Sequence, residues 1–261
     1  MDIILIPLAL VIGIVAAMIG IGGGALIVPL LMFTGMEAHS AIGIGVGAVA
    51  LTSFSALIEY LKQKSVDLKL TLFMGAFSVP GAILGSWLCE ITPSNTLQQL
   101  FAILLAAMAF VVWNRKALEG HIPRGAIEME RKLETGDGKL YTYKAPLMLL
   151  APVSFAAGVL AGFFGIGGGI LKVPAMILSG IPTRIAVATS TSLVSLNSAT
   201  AVASHNVIGS DIAVYLLFLG PVLVMGAFIG ARLSKNMSSE HFRKIFSLVI
   251  IVFAVMLWLG V

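Results

Sequence analysis

Apolar residues are grouped along this chain into ten segments, five on either side of one polar interval. A helix rises about 1.5 Å per residue and the hydrocarbon core of a bilayer is about 30 Å thick, so most of the segments are long enough to cross it. The second and seventh segments are too short for a full crossing. The segments lie at about 3–20, 25–35, 41–61, 68–90 and 97–114, then at about 146–165, 170–180, 186–206, 212–233 and 244–260. The pattern predicts an all-α polytopic membrane protein.

The two sets of five segments are copies of each other. Gly20–Gly24 reads Gly-Ile-Gly-Gly-Gly, and the same five residues recur at Gly165–Gly169, 145 positions later. Glycine, proline and tryptophan keep this offset from the first segment of each half to the last, which chance similarity between Leu-rich helices does not produce. The matched pairs include Gly13 with Gly158, Pro29 with Pro174, Gly35 with Gly180, Gly85 with Gly230, Phe101 with Phe246 and Trp113 with Trp258. The sequence is therefore an internal duplication.

Basic residues in the loops predict how the two halves are oriented. The loop after the third segment carries Lys62, Lys64 and Lys69, whereas its counterpart at 205–211 carries no Lys or Arg. The loops one segment further on show the reverse pattern. Because cytoplasmic loops are enriched in Lys and Arg, equivalent loops are expected on opposite sides of the membrane. The two repeats are therefore predicted to be inverted.

This topology divides the chain into a first membrane repeat at 1–114, a cytoplasmic linker at 115–145 and a second, inverted repeat at 146–261. With the linker in the cytoplasm, fifteen of the sixteen Lys and Arg residues lie on the cytoplasmic side, and Lys172 is left within the membrane. Both termini then lie outside, in a multi-pass protein of the inner (cytoplasmic) membrane. The mixed charges and glycines of the linker are typical of a plain connector.

The short second and seventh segments leave the number of crossings open. If both cross, the chain has ten spans. If each forms a re-entrant hairpin with the segment before it, the chain has six spans and two hairpins. The shortness of 25–35 and 170–180 favours hairpins, whereas the length of 3–20 and 146–165 favours crossing.

Composition excludes most other classes of protein. Hydrophobic residues make up 59% of the chain and charged residues 11%, with a mean hydropathy of +1.05. Ordinary soluble domains are about half apolar and about a quarter charged. A soluble enzyme and a nucleic-acid-binding domain are therefore excluded. The single cysteine, Cys89, and the absence of metal-ligand spacings or a catalytic set lead us to expect no enzymatic activity, metal or cofactor.

The two glycine runs are the first candidate site. Three consecutive glycines break a helix, and broken backbone at membrane depth is tolerated only where it is buried in protein or lines a cavity. A short apolar segment follows each run, and a helix N-terminus attracts anions through its free N–H groups and its dipole. The residues expected to bind an anion are Gly22, Gly23, Gly24, Gly167, Gly168 and Gly169. The alternative is that these glycines only allow close helix packing.

Two further features extend this site: Lys172 and a run of polar residues within 189–197. Lys172 lies three residues after Gly169 inside an apolar segment, and ionisable residues within a membrane usually face a pathway or a partner. The alternative is a lysine that reaches up to the interface. The polar residues expected to contact the anion are Thr189, Ser190, Thr191, Ser192 and Asn197. For these residues the alternative is ordinary hydrogen bonding between helices.

Glu59 and His205 are candidates for proton coupling. They lie near the ends of equivalent segments, on opposite sides of the membrane in the inverted topology. A histidine changes its charge near neutral pH, which makes His205 the stronger candidate. The alternative is that both are interfacial residues without a role in coupling.

The duplicated motif resembles that of a known family. Gly-x-Gly-Gly-Gly followed by proline, at Gly20–Pro29 and Gly165–Pro174, is similar to the motif of the TauE/SafE sulfite exporter family, as is the stretch Ala188-Thr189-Ser190. The resemblance covers nearly the whole chain, and 115–145 is its least characteristic part. It implies a bacterial or archaeal cytoplasmic membrane protein that moves small sulfur-containing anions such as sulfite, sulfoacetate or other sulfonates, usually outwards.

These observations lead to one functional prediction. We expect a secondary transporter that exports a small sulfur oxyanion or organosulfonate by alternating access. Its partners are the small anion and the lipid bilayer, with no nucleic acid, and homo-oligomerisation is left open. The alternatives are a passive anion channel of the same fold and a membrane scaffold or assembly partner that transports nothing.

Overall fold

The described helices and strands form two runs of helices separated by a β-hairpin. The structure is a computed structural model and describes residues 5–113, 127–204, 210–236 and 248. The first run contains α1 (Leu5–Ile19), α2 (Gly24–Phe33), α3 (Ala38–Lys62), α4 (Leu68–Ile91) and α5 (Ser94–Trp113). The hairpin and the second run contain β1 (Glu128–Glu134), β2 (Leu140–Pro146), α6 (Leu147–Phe164), α7 (Gly169–Leu178), α8 (Thr183–Ser204) and α9 (Ser210–Leu233), followed by a 3₁₀ turn at Ser234–Asn236. The predicted last segment, 244–260, lies outside the described residues except for position 248.

Five of the described helices are long and apolar enough to cross a bilayer. Large apolar side chains remain on their outer faces, such as Leu72 (77% exposed) and Leu217 (71%), which is expected where a helix contacts lipid rather than water. The mostly helical, polytopic membrane fold predicted from the sequence is thereby confirmed. The five candidate spans are Ala38–Lys62, Leu68–Ile91, Leu147–Phe164, Thr183–Ser204 and Ala213–Leu233.

The duplication is visible in the positions of the helices. The short helices α2 and α7 are each ten residues long. They begin at Gly24 and Gly169 and end at Phe33 and Leu178, which are the same 145 positions apart. The repeated sequence therefore produces two equivalent broken-helix units.

Each half packs its first helix against the fourth helix of the other half. A Cβ placed on Gly13 in α1 would lie 3.2 Å from the Cα of Gly226 in α9, and one on Gly81 in α4 would lie 3.3 Å from the Cα of Gly158 in α6. Small residues let membrane helices approach this closely. Since Gly158 and Gly226 are the equivalents of Gly13 and Gly81, the same contact is made twice, and it interlocks the two halves.

The centre of the bundle is formed by α3 and α8. Ser53 and Ser198 are equivalent residues 145 positions apart, and their hydroxyl oxygens lie 3.4 Å from each other. The end of α3 lies near the beginning of α8, because the Gly136 N–H donates to the Gln63 carbonyl (2.9 Å) and the neighbouring Asp137 carboxylate pairs with Arg184 (2.9 Å). We call this the hairpin end of the bundle.

The β-hairpin occupies part of the interval that the sequence identifies as a plain connector. Strands β1 and β2 pair antiparallel, with Glu128 opposite Pro146. The side chains along β1 alternate between exposed and half-buried positions, which is the period of a strand lying on a surface. The described part of 115–145 is thus a folded element that packs against the helices. The sequence analysis did not predict these two strands, and the role of 115–145 as a connector stays a prediction.

Asp67 is the main anchor of the hairpin. Its carboxylate is fully buried and accepts two hydrogen bonds of 2.7 Å from Arg131 in β1 and one from the Tyr143 hydroxyl in β2. It also caps α4 by accepting from the N–H groups of Lys69 and Leu70 (3.1 Å each). Burial raises the pKa of Asp67, but these hydrogen bonds outweigh it and hold the pKa below its usual value. The carboxylate is therefore charged at neutral pH and ties the α3–α4 turn to the hairpin.

We predict that Asp67→Asn destabilises the protein by about 3–5 kcal/mol, because Arg131 loses its buried counter-charge. The matched control is Glu130→Gln, which removes the partner of Lys144 on the exposed face of the same hairpin. Exposed pairs contribute only about 0–1 kcal/mol. The measurement is the thermal unfolding midpoint in detergent together with the rate of limited proteolysis within 128–146. Equal midpoints and cleavage rates for the two variants would show that Asp67 does not hold the hairpin.

Candidate functional site

Two glycine loops, 20–23 and 165–168, interrupt the helices in the interior of the bundle. Gly20 and Gly22 have φ angles of +71° and +78°, and their equivalents Gly165 and Gly167 have +67° and +77°. These are left-handed conformations that L side chains rarely adopt. The helices therefore break at the same place in both halves, as the glycine runs predict.

The two loops touch each other. A Cβ on Gly24 would collide with the Gly165 carbonyl oxygen, and a Cβ on the equivalent Gly169 would collide with the Gly20 carbonyl oxygen. Each short helix thus begins against the loop of the other half. Gly22 and Gly167 lie against the same two side chains, Val49 and Val194. The structure brings the loops together, while Gly168 faces the Ala157 carbonyl of its own half.

Polar side chains of α3 and α8 bind the loops. The Gly23 N–H donates to the Thr52 hydroxyl (3.2 Å), and the Asn197 amide donates to the Gly167 carbonyl (3.4 Å). Thr52 and Asn197 are equivalent residues in the duplication. The Ser190 hydroxyl donates to the Gly20 carbonyl (2.9 Å). Two of the predicted polar residues, Ser190 and Asn197, therefore contact the loops directly.

The other residues of the predicted hydroxyl run are placed differently. Thr189 accepts a hydrogen bond of 3.1 Å from the Asp67 N–H and so belongs to the network at the hairpin end. Thr191 donates to the Val187 carbonyl of its own helix (2.9 Å), and Ser192 is buried. The run is thus spread around one buried helix rather than collected at one point.

A small pocket lies beside the first glycine loop. Three hydroxyl-bearing residues, Thr52, Ser53 and Thr191, and the loop residue Gly22 line it together with apolar side chains. The first two hydroxyls come from α3 and the third from α8. The pocket is therefore shared between the halves. Its apolar lining consists of Ala16, Ala17, Ala56 and Val194.

Lys172 lies in the first turn of α7, directly after the second glycine loop. Its side chain is 0% exposed, and its Nζ has no hydrogen-bond partner among the described residues. Its backbone N–H donates to the Gly168 carbonyl (3.4 Å). A lysine that reached up to the interface would expose its ammonium group, and this one does not. The residue is instead a fully buried amine in the first turn of a helix.

Of the two proton-coupling candidates, only Glu59 lies within the described residues. Glu59 pairs with Arg232 at 3.5 Å, and its side chain is 13% exposed. His205 lies outside the described residues. Within the described ranges, no three His, Cys, Asp or Glu side chains are grouped so that they could ligate a metal ion.

A family profile described as "Sulfite exporter TauE/SafE" matches residues 5–257. The chain belongs to the TauE/SafE family. The matched range includes both glycine loops and the short helices that follow them.

Curated relatives of this TauE/SafE chain carry transporter names. The probable membrane transporter protein YunE of Bacillus subtilis is 32% identical over 96% of this chain and 94% of its own length. A probable membrane transporter protein of Methanocaldococcus jannaschii is 26% identical over 92% and 89%, and the probable membrane transporter protein YfcA of Escherichia coli is 26% identical over 90% and 80%. No solved structure matches. The chain is a membrane transporter by family and by relatives of nearly full length.

Sequence reasoning missed several residues of this TauE/SafE site. Thr52 and Ser53 were visible in the sequence as the equivalents of Asn197 and Ser198, 145 positions earlier. Applying the duplication to single polar residues, and not only to glycines, would have found them. Asp67 gave no such signal, since its partners lie far away in the chain.

We predict that Gly24→Ala and Gly169→Ala destabilise the protein alike, because each added Cβ meets a carbonyl oxygen of the opposite loop. Overpacking of this kind costs about 1–3 kcal/mol or more. The control is Gly75→Ala in α4, where the nearest atom is a Leu196 side-chain carbon at 3.4 Å. Alanine is favoured over glycine within a helix by about 0.5–1 kcal/mol, so the control should be neutral or stabilising. Thermal unfolding of the three variants in detergent is the measurement, and loop variants as stable as the control would contradict the close contact.

Proposed function

We propose that this TauE/SafE protein is a secondary transporter that exports small sulfur oxyanions or organosulfonates, of the sulfite or sulfoacetate kind, by alternating access. The observation that carries the proposal is Lys172, a fully buried ammonium group without a hydrogen-bond partner in the described chain. A buried charge is costly unless something pairs with it. An anionic substrate at this point supplies the missing counter-charge.

The surroundings of Lys172 suit an anion and not a metal cation. The first turns of α2 and α7 direct backbone N–H groups and the positive end of the helix dipole towards the bundle interior. The Asn197 amide uses one N–H for the Gly167 carbonyl and has a second N–H to offer as a neutral donor. Broken helices at mid-membrane serve as substrate sites in other transporters built from inverted repeats.

We further infer that the two halves are inverted and that each α1–α2 and α6–α7 unit is a re-entrant hairpin. Two sets of contacts and one short connection support this arrangement. The end of α3 lies near the start of α8 through the hairpin residues 136 and 137. The Tyr60 hydroxyl, near the end of α3, donates to the Ala17 carbonyl, near the end of α1 (2.7 Å). α2 then returns to the opposite end, because only four residues separate it from the beginning of α3.

Loop charges give this arrangement its orientation. Basic residues collect at the hairpin end, and the positive-inside rule places that end in the cytoplasm. Both termini then lie outside the inner membrane. The described basic residues at that end include Lys62, Lys64, Lys69, Arg131, Lys132, Lys139, Lys144, Arg184, Arg232 and Lys235. In alternating access, one half rocks against the other across the paired glycine contacts, with Glu59 and His205 as candidates for proton coupling.

We predict that single cysteines at Thr34 and Ser179 are labelled from opposite sides of the membrane. Each residue caps the C-terminus of its short helix, and the two are equivalent in the duplication. The buried native Cys89 is first replaced by alanine. An impermeant thiol reagent added to intact cells or to inverted vesicles should modify Thr34→Cys from outside and Ser179→Cys from the cytoplasm. Labelling of both from the same side would overturn the inverted topology.

We predict that the purified protein in liposomes gives saturable sulfite flux and that a pH gradient changes this flux. The panel contains sulfite, sulfate, thiosulfate and short sulfonates. Large flux without saturation would instead identify a passive anion channel. No flux of any of these anions would leave a membrane scaffold without transport activity.

The residue test is Lys172→Ala, compared with Lys62→Ala on the exposed surface at the hairpin end. Removal of a charged hydrogen-bond donor from a substrate typically costs about 1.5–3 kcal/mol, so the apparent KM for sulfite should rise about tenfold or more. The Lys62→Ala variant should keep the original KM. Unchanged affinity and rate in a correctly inserted Lys172→Ala protein would remove Lys172 from the site.

A further inference from the structure

Besides Lys172, the described residues include several buried polar side chains with an atom that has no hydrogen-bond partner, and Ser154 is one of them. The Ser154 hydroxyl in α6 is fully buried and makes no hydrogen bond in the described part of the chain. Leaving such a group unpaired costs about 1–3 kcal/mol. A serine in a helix can usually donate to a carbonyl of its own preceding turn. The Ser154 hydroxyl does not, so we expect its hydrogen-bond partner to lie outside the described protein atoms.

One contact relates the position of Lys172 along α7 to the position of Ser154 along α6. Helices α6 and α7 form a hairpin through the second glycine loop, and Gly168 at the start of α7 lies against Ala157 of α6. Four residues along a helix advance by about 6 Å. Lys172 lies four residues after Gly168, about 6 Å along α7, and Ser154 lies three residues before Ala157, about 4.5 Å back along α6, so the two residues lie at similar levels.

The next turn gives the same alignment. Met176, four residues after Lys172, and Leu150, four residues before Ser154, belong to one cluster of buried apolar side chains. Residues four apart lie on the same face of a helix. The turn that follows Lys172 and the turn that precedes Ser154 therefore both contribute to the same apolar cluster.

Two further polar side chains lie one turn away from this pair. The Ser78 hydroxyl in α4 donates to the Asn197 carbonyl oxygen of α8 (2.8 Å). A Cβ on Gly158, which is four residues after Ser154, would lie 3.0 Å from the Ser78 Cα. The neutral pair Ser78–Asn197 thus covers the side of Ser154 and Lys172 that faces away from the hairpin end.

We propose that Ser154 and Lys172 together form a buried oxyanion subsite between α6 and α7. The Asn197 amide lies at the edge of this subsite that faces away from the hairpin end. The Lys172 ammonium supplies the charge and the Ser154 hydroxyl donates a hydrogen bond to a sulfite or sulfonate oxygen. This inference rests on the proposed function and deepens it, because it names the residues that recognise the anion. Neither Ser154 nor Ser78 belongs to the glycine loops or to the hydroxyl run of α8.

The subsite exists in only one half of the duplication. The equivalents of Ser154 and Lys172 are Ala9 and Ile27, both buried and apolar. The two halves share a backbone plan, but only the second half can recognise a negative charge between its first two helices. The substrate therefore binds off centre, against the second half, while the first half supplies a largely apolar opposing surface.

The first test measures charge selectivity at this point without relying on transport. In a Cys89→Ala background, Ser154→Cys is compared with Ala9→Cys, its equivalent in the other half. Each is treated with a thiosulfonate reagent that carries either a sulfonate or a quaternary ammonium group, with rates normalised to a free thiol in solution. Ser154→Cys should favour the anionic reagent by about tenfold or more. Adding Lys172→Gln should abolish that preference, whereas Ala9→Cys should show no dependence on Lys172.

Two results would overturn the subsite. One is a reagent preference at Ser154→Cys that is unchanged by Lys172→Gln. The other is no reaction at Ser154→Cys with either reagent in a protein that still transports sulfite, because the path would then bypass this point. A Lys172-dependent preference in a protein that transports none of the tested anions would support the subsite while rejecting the proposed function.

The second test uses sulfite flux in liposomes. Ser154→Ala removes a hydroxyl that has no protein partner, so the folded state loses no hydrogen bond, and the KM for sulfite should rise about tenfold. Ser86→Ala is the matched control, since its hydroxyl is also buried and unpartnered but lies two turns further along α4 than Ser78. An equal KM for the Ser154→Ala protein and the Ser86→Ala protein would contradict the proposed hydrogen bond to the substrate.

Discussion

Close backbone contact between glycine residues is the constraint on which the rest of this structure depends. In the interior of the bundle, two broken helices lie against each other with only a hydrogen atom where a side chain would be. In a membrane, burial of apolar surface contributes little to helix association, because the lipid tails are apolar as well. Close packing and interhelical hydrogen bonds drive the association instead. The same residue type also provides the left-handed turns of the loops. One chemical property of glycine thus explains how the helices break, how the breaks meet and how the two halves interlock.

Under the proposed function, a duplicated scaffold with a one-sided charge suits the transport of an anion. The equivalent loops, short helices and crossings give two halves that can exchange similar contacts as they move. A second buried lysine in the first half would add another desolvated charge without a second substrate to neutralise it. Because the equivalent of Lys172 in the first half is Ile27, that cost arises at one site only. The remaining contacts to the substrate then come from neutral donors, which are less costly to bury.

The hairpin at the basic end shows that the segment between the halves has a structural role. Asp67 is held by Arg131 and Tyr143 and is linked through its N–H to Thr189 in α8. Asp137 pairs with Arg184 at the start of the same helix, and hydrogen bonds from Thr135 and Arg184 keep the pKa of Asp137 well below its usual value. The hairpin therefore bridges the α3–α4 turn of the first half and the beginning of α8 in the second. Any movement between these two regions therefore either moves the hairpin along with them or breaks its hydrogen bonds.

By itself, the sequence determined the membrane class, the duplication, the positions of the helix breaks and the candidate residues Lys172, Ser190 and Asn197. These follow from composition, from the length of apolar runs and from residues repeated at a fixed offset, all of which are local or periodic properties. Only the tertiary structure decided that the two glycine loops touch, that Thr189 bonds to the Asp67 turn rather than to the loops, and that the Ser154 hydroxyl is buried without a partner among the described residues. It also decided that part of the predicted connector is a docked hairpin. The physical reason is that burial and hydrogen-bond pairing depend on which distant segments the packing brings together, and a single sequence does not record those distances.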